Sequence, residues 1–240
     1  MASDSSLTPE QNAVLDRLGV IRQNIRKACE QAGRDPQDVT LMAVTKTVDP
    51  LLINTAVDAG VRVLGENRVQ EYLQKRDAYR TEAEVQFIGH LQTNKVRQII
   101  GSVSMIQSVD SLHLAEAVDR AAQQAGRIMP VLLEVNIGGE SSKSGAAPAD
   151  ILTLLRDVRR LGNIKVRGLM TIPPPLPDEA EQERVFAQTA ALFHQMQNEA
   201  PLDILSMGMS GDYPAAVRQG STLVRIGSAL FGPRVYPAVR

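Results

Sequence analysis

Apolar residues recur along this chain with two periods, and the alternation between them sets the fold expectation. The first stretch is helical. Val14, Leu15, Leu18, Ile21, Ile25, Ala28, Cys29 and Ala32 fall at three- and four-residue spacing, which gathers them on one face of a helix over residues 9–32. Thr8 stands at the N-cap, Pro9 suits the first turn, and Gln11 completes a capping box. Gly33 supplies the residue that ends such a helix. Cys29 lies on the apolar face and reads as a small core residue, not a reactive thiol.

After Gly33, short apolar runs alternate with helix-period segments. Strands are predicted over residues 40–45, 62–65, 85–89, 104–108, 130–136, 165–171, 204–207 and 223–227. Helices are predicted over 50–59, 68–79, 94–100, 111–125, 148–161, 178–198 and 212–219. Strands separated by helices pair in parallel through crossovers. Eight such units match a closed α/β barrel. The expected fold is a single (β/α)8 TIM barrel with an extra N-terminal helix. A doubly wound open sheet carries a glycine fingerprint after its first strand; here that place holds Lys46-Thr47-Val48-Asp49. No composition break or internal repeat divides residues 1–240, read as one domain with residues 1–7 and 235–240 as flexible ends. Residues 138–145 read as a flexible polar loop, and the proline run at 173–177 as a stiff one.

Composition excludes several function classes. The net charge is -1, from 26 basic and 27 acidic residues, with 3% aromatics and no tryptophan. No basic run or stacking platform for nucleic acid emerges. The one cysteine allows neither an internal disulfide nor a cysteine zinc cluster. The N-terminus MASDSSLTPEQ lacks a signal-peptide pattern, and no apolar stretch reaches membrane-spanning length. The expectation is a cytoplasmic protein with no metal, no nucleic acid and no membrane partner.

Functional residues of such barrels gather at the C-terminal ends of the strands. Lys46 ends the first predicted strand. Partial desolvation there favours the neutral amine, a nucleophile toward an aldehyde, although a lysine snorkelling from the rim fits the same position. Ser210 follows the seventh strand, and Gly227 and Ser228 follow the eighth, where such barrels frequently bind phosphate. Gly208, Gly211 and Gly227 allow close approach of backbone N–H groups, and Asp212 can cap the next helix. Ordinary turns also use these residues. Arg225 is unusual within its strand: it either pairs with a carboxylate such as Glu66 or donates to a ring nitrogen of a cofactor. His90 follows the third strand, but no histidine has a metal-ligand partner at the right spacing, and His113 and His194 sit in helices. No HExxH, GxSxG or P-loop motif occurs.

Several strings taken together carry a resemblance. They are Ala43-Val44-Thr45-Lys46, Gly65-Glu66-Asn67 with Val69-Gln70-Glu71, residues 87–95 (FIGHLQTNK), Ser142-Lys143-Ser144-Gly145, residues 167–172 (RGLMTI), Leu205-Ser206-Met207-Gly208-Met209-Ser210, and residues 220–228 (GSTLVRIGS). Over about residues 41–234 the chain resembles the pyridoxal phosphate homeostasis protein family, alanine racemase N-terminal domain-like barrels of fold-type III. The resemblance implies that Lys46 forms the internal aldimine with pyridoxal 5'-phosphate and that Arg225 faces the pyridine nitrogen. It places Ser210, Gly227 and Ser228 on the phosphate, and Asn67 and Met207 near the ring. The family's Ser-any-Asp pattern is met by Ser210-Gly211-Asp212.

Related racemases add a second β-rich domain that supplies a tyrosine acid/base; this sequence ends soon after the eighth strand, and Tyr72, Tyr79, Tyr213 and Tyr236 fall at no predicted strand end. The expectation is a monomeric cofactor carrier with no catalytic residue, which holds pyridoxal phosphate and releases it to apo-enzymes through transient contacts. An amino-acid racemase is the alternative. A cofactor-free Schiff-base aldolase ranks last, because Lys165 sits at the wrong end of its strand. Lys143 is a candidate for assisting transfer, with a solvated loop lysine as the plainer reading.

Overall fold

The computed structural model describes residues 7–139, 144–174 and 178–233. Among these residues eight strands form: β1 (Thr40–Val44), β2 (Val63–Glu66), β3 (Glu84–Phe87), β4 (Met105–Val109), β5 (Met129–Val135), β6 (Ile164–Thr171), β7 (Ile204–Met209) and β8 (Leu223–Ile226). Each pairs in parallel with the next, and β8 returns to β1 to close the barrel. The (β/α)8 expectation holds. Closure leaves no unpaired strand edge among the described residues.

The helices are α1 (Pro9–Gln31), α2 (Pro50–Asp58), α3 (Val69–Lys75), α4 (Val96–Ile99), α5 (Leu112–Gln124), α6 (Ile151–Val158), α7 (Glu179–Gln197), α8 (Tyr213–Arg218) and α9 (Ser228–Phe231). α1 forms for the reasons its sequence carries. Thr8 N–H donates to Gln11 Oε1 at 3.0 Å and Gln11 N–H to Thr8 Oγ1 at 3.3 Å. Gly33 adopts φ +65° just beyond the end. α1 lies across α2, α8 and α9. Polar ties fix it there: Gln11 Nε2 donates to Thr55 Oγ1 at 2.9 Å, and Asn24 Nδ2 to Tyr213 Oη at 2.8 Å. Cys29 is fully buried in this layer, and burial pushes its thiol pKa up, opposite to a reactive cysteine.

Several predicted bounds shift. The helix read over 94–100 is a 3-10 turn, Thr93–Lys95, followed by the short α4; 3-10 turns also open α6 and follow α3. β2 runs one residue further than predicted, so Glu66 belongs to the strand, and β7 runs on to Met209. α9, unpredicted, spans four residues, too few to show a period.

Strand side chains alternate between the helix layer and the barrel interior. Inside, Met42, Val44, Val63, Ile88 and Leu223 form one apolar cluster, and Met105, Leu132 and Met170 another. The remaining interior is polar: Gln86, Gln107, Ser206 and Arg225 are all buried. Lys143 and the ends at 1–6 and 234–240 lie outside the described residues. Among those described, no helix is long and apolar enough to cross a membrane, and no group of three or more His, Cys, Asp or Glu could hold a metal.

Candidate functional site

The C-terminal ends of β1, β2, β7 and β8 deliver Lys46, Asn67, Ser210, Arg225, Gly227 and Ser228 to one cavity of about 330 Å³, walled by Val44, Ile88, Ile172, Met209 and Gly211. That volume suits a small ligand or cofactor. Six of the seven residues singled out for a cofactor therefore meet at one place. Met207 does not. Ser206 points into the barrel, so Met207 points out, fully buried in the cluster shared with Ala215 and Ala216 of α8. Gly208, at φ +91°, then breaks the two-residue alternation, and Met209 takes the cavity wall. Gly208 itself serves packing: a Cβ there would lie 2.5 Å from Ala216 Cβ.

The segment carrying Lys46 is clamped from outside the barrel. Thr47, at φ +61°, is the one described non-glycine residue with a left-handed backbone, a costly conformation for a β-branched side chain. Its N–H donates to Glu71, which also accepts from Lys75 Nζ at 2.5 Å. Burial raises the Glu71 carboxyl, but these bonds more than reverse that, and its pKa lies below the ordinary 4.5. Glu66, fully buried, faces the same layer. Its Oε1 accepts from Thr45 Oγ1 at 2.6 Å and from Tyr79 Oη, and burial raises its pKa.

The Glu66–Arg225 pairing considered from sequence is therefore not formed; the two point to opposite sides of the barrel wall. Arg225 instead donates through Nη1 to Ser206 O at 2.8 Å and Ser206 Oγ at 2.6 Å, and through Nη2 to Thr171 O at 2.6 Å. Burial lowers its pKa to about 10, opposed by Glu134 and then Asp212 acting at a distance. The guanidinium stays charged at neutral pH.

At the far wall, Ser210 Oγ accepts from Gly227 N–H at 3.1 Å and Ala229 N–H at 3.2 Å. Its own hydroxyl proton remains to be donated. Gly227 N–H is thus engaged by Ser210, a different use from the direct anion contact that the sequence suggested. Asp212 is not a side-chain cap for α8: its Oδ1 accepts from Met209 N–H at 2.6 Å and folds the loop back on itself. α9 begins at exposed Ser228, beside the cavity. His90 is exposed, with Nδ1 3.2 Å from Ser144 Oγ.

The sequence matches the alanine racemase, N-terminal domain family over residues 17–235. A pyridoxal phosphate homeostasis protein of Aquifex aeolicus is 42% identical over 224 residues, covering 92% of this chain and 98% of that protein. This chain belongs to the pyridoxal phosphate homeostasis protein family. Two solved relatives share the fold at useful identity. A protein of unknown role from Bifidobacterium adolescentis aligns with TM-score 0.87 and 34% identity over 95% of this chain and 98% of that one. PipY of Synechococcus elongatus, in a structure with PLP bound, aligns with TM-score 0.78 and 36% identity over 91% and 100%.

Within this family member, sequence reasoning missed the polar residues inside the barrel. Gln86 and Gln107 are as foreign to their apolar runs as Arg225 is to its own. That oddness was the available signal.

Proposed function

We propose that this chain holds pyridoxal 5'-phosphate at the barrel mouth, attached through Lys46 Nζ, and releases it to apo-enzymes as a monomeric cytoplasmic carrier that turns nothing over. The observation that carries the reading is the convergence of Lys46, Asn67, Ser210, Arg225, Gly227 and Ser228 on one cavity. Pyridoxal phosphate supplies an aldehyde that condenses reversibly with a primary amine. The residues present fit such a group. Lys46 supplies the amine, and Ser210 and Ser228 supply hydroxyl donors for a phosphate. Asn67 Oδ1 is buried with no partner among the described residues, an acceptor awaiting a donor. Arg225 presents to a ring nitrogen a guanidinium that stays charged at neutral pH, its pKa lowered by burial only to about 10.

Holding is favoured over racemisation by the acid–base inventory. Among the described residues that line the cavity, only Lys46 and Arg225 are ionisable, whereas racemisation needs a positioned acid and base on both faces of the substrate. The test is spectroscopic. Purified protein given pyridoxal phosphate should gain a visible absorbance band, and borohydride should fix a pyridoxyl group on Lys46, found by peptide mass mapping. Lys46→Ala should abolish both. A wild-type chain that takes no label, or takes it elsewhere, defeats the reading. Steady exchange of an amino acid's α-proton with deuterated solvent would restore the racemase.

A further inference from the structure

The interior of a TM barrel is ordinarily filled by layers of branched apolar side chains. Here a line of polar side chains runs through it. Arg225 Nη1 donates to Ser206 Oγ at 2.6 Å, and Ser206 Oγ donates to Gln107 Oε1 at 2.7 Å. Gln107 Nε2 donates to Gln86 Oε1 at 2.6 Å, and Gln86 Nε2 donates to Glu84 Oε1 at 2.7 Å. The line starts in the cavity wall and ends on an exposed carboxylate at the opposite end of the barrel.

The chemistry of the two ends fixes the direction of every bond. A guanidinium only donates and an ionised carboxylate only accepts. Ser206 must therefore accept from Arg225 and pass its proton on. Both glutamine amides must turn oxygen toward Arg225 and nitrogen toward Glu84. Either amide reversed sets two donors or two acceptors face to face. The sequence of groups is a one-way relay of dipoles with its negative ends toward the guanidinium.

Stability alone does not account for it. Buried polar networks seldom improve on apolar packing of the same volume, and each member left unsatisfied is costly. Apolar neighbours lie on both sides of the line. What the line does accomplish is specific to Arg225. It and the carbonyls of Ser206 and Thr171 take three of the five guanidinium protons, with no carboxylate of the described residues in contact. The plane of the group is thereby set, and the remaining protons can serve the cavity.

We propose that Gln107, together with Ser206 and Gln86, is a positioning residue of the cofactor site, which orients the Arg225 guanidinium and stabilises its charge through a directed hydrogen-bond line across the barrel. The proposal rests on the reading of the cavity as a pyridoxal phosphate site. Its effect would be felt at the group that Arg225 faces, far from Gln107 itself.

The test uses the full chain loaded with pyridoxal phosphate, in wild-type, Gln107→Met and Ser206→Ala forms. Three quantities are read: cofactor dissociation constant, pH dependence of the visible band, and melting temperature of the cofactor-free chain. We expect Gln107→Met to weaken cofactor binding about tenfold, as loss of support for one charge-assisted bond does, and to move the pH profile of the band. Ser206→Ala, one link nearer Arg225, should move both further. Melting temperatures of the cofactor-free variants should not follow that order. Wild-type affinity and pH profile in a folded Gln107→Met chain overturn the proposal. So do changes in both variants that simply track loss of melting temperature. A wild-type chain without a visible band overturns the cofactor reading beneath it; an intact wild-type band with unaltered variants overturns the positioning role alone. Should Gln107→Met not fold, Ser206→Ala, a smaller change, decides by the same readings.

Discussion

Glu134 offers a quantitative test of the electrostatics inside the barrel mouth. It lies on β5, 6% exposed, and its carboxyl is raised from the ordinary 4.5 to about 7. Burial is the main cause, with Asp110 adding to it and Arg225 opposing it. Below pH 4.5 the carboxyl is neutral in both the folded and the unfolded chain and costs nothing. Between 4.5 and about 7 the unfolded chain has lost the proton while the folded chain keeps it, so stability falls as pH rises. Above about 7 both forms are ionised and the full penalty applies. At ~1.36 kcal/mol per pH unit the penalty is about 3 kcal/mol, an appreciable part of the roughly 5–15 kcal/mol that holds a domain together.

Glu134→Gln keeps the shape and removes the charge. The variant should equal the wild type near pH 4.5 and exceed it by about 3 kcal/mol at pH 8, roughly 1 M in urea midpoint. Urea unfolding of both chains across that range measures the difference. Subtracting one curve from the other cancels Glu66, whose pKa is also raised. A gap that stays flat with pH, or one that grows in favour of the wild type, refutes the argument that burial outweighs the attraction of Arg225.

Two further predictions concern local geometry. Gly89→Ala would set a Cβ 2.1 Å from Asn67 O, a backbone atom that cannot step aside; we expect a loss of about 3 kcal/mol in unfolding free energy together with weaker cofactor uptake, since Asn67 lines the cavity. Thr8→Ala removes the acceptor of the α1 capping box and should lower unfolding free energy by about 1 kcal/mol while leaving cofactor uptake unchanged, because α1 packs on the outer layer.

What the sequence made legible follows from the range of the interactions involved. The barrel was readable because strand and helix periods are local, and the sites at strand ends follow from the fold once its strands are placed. Lys46, Ser210 and Arg225 could be gathered at one rim from that alone. Met207 could not be oriented correctly, because Gly208 at φ +91° interrupts the alternation by which an inward residue is counted. Asp212 was misread as a cap because Asp before a helix offers two local bonds, and here the carboxylate takes the N–H of Met209, three residues back, over those of α8. Of the two roles open to Arg225, pairing with Glu66 falls away for a related reason: one step of strand phase places Glu66, bonded to Thr45 and Tyr79, on the other side of the barrel wall.

The polar line was beyond local reading altogether. Ser206 and Gln107 are 99 residues apart and meet only because β4 and β7 face each other across a closed barrel. Each of its members breaks the apolar pattern of its own strand, and each, taken singly, reads as a defect. Departures from pattern that would be costly alone become mutually satisfied when the fold brings them together, and such clusters belong at functional sites. Four inward polar residues connected in one direction, beginning at the cation in the cavity wall, are a stronger indication of function than any one of them. Glu66, equally buried, is a different case: Thr45 and Tyr79 meet its Oε1 within the helix layer, away from the cavity, and its Oε2 has no partner among the described residues.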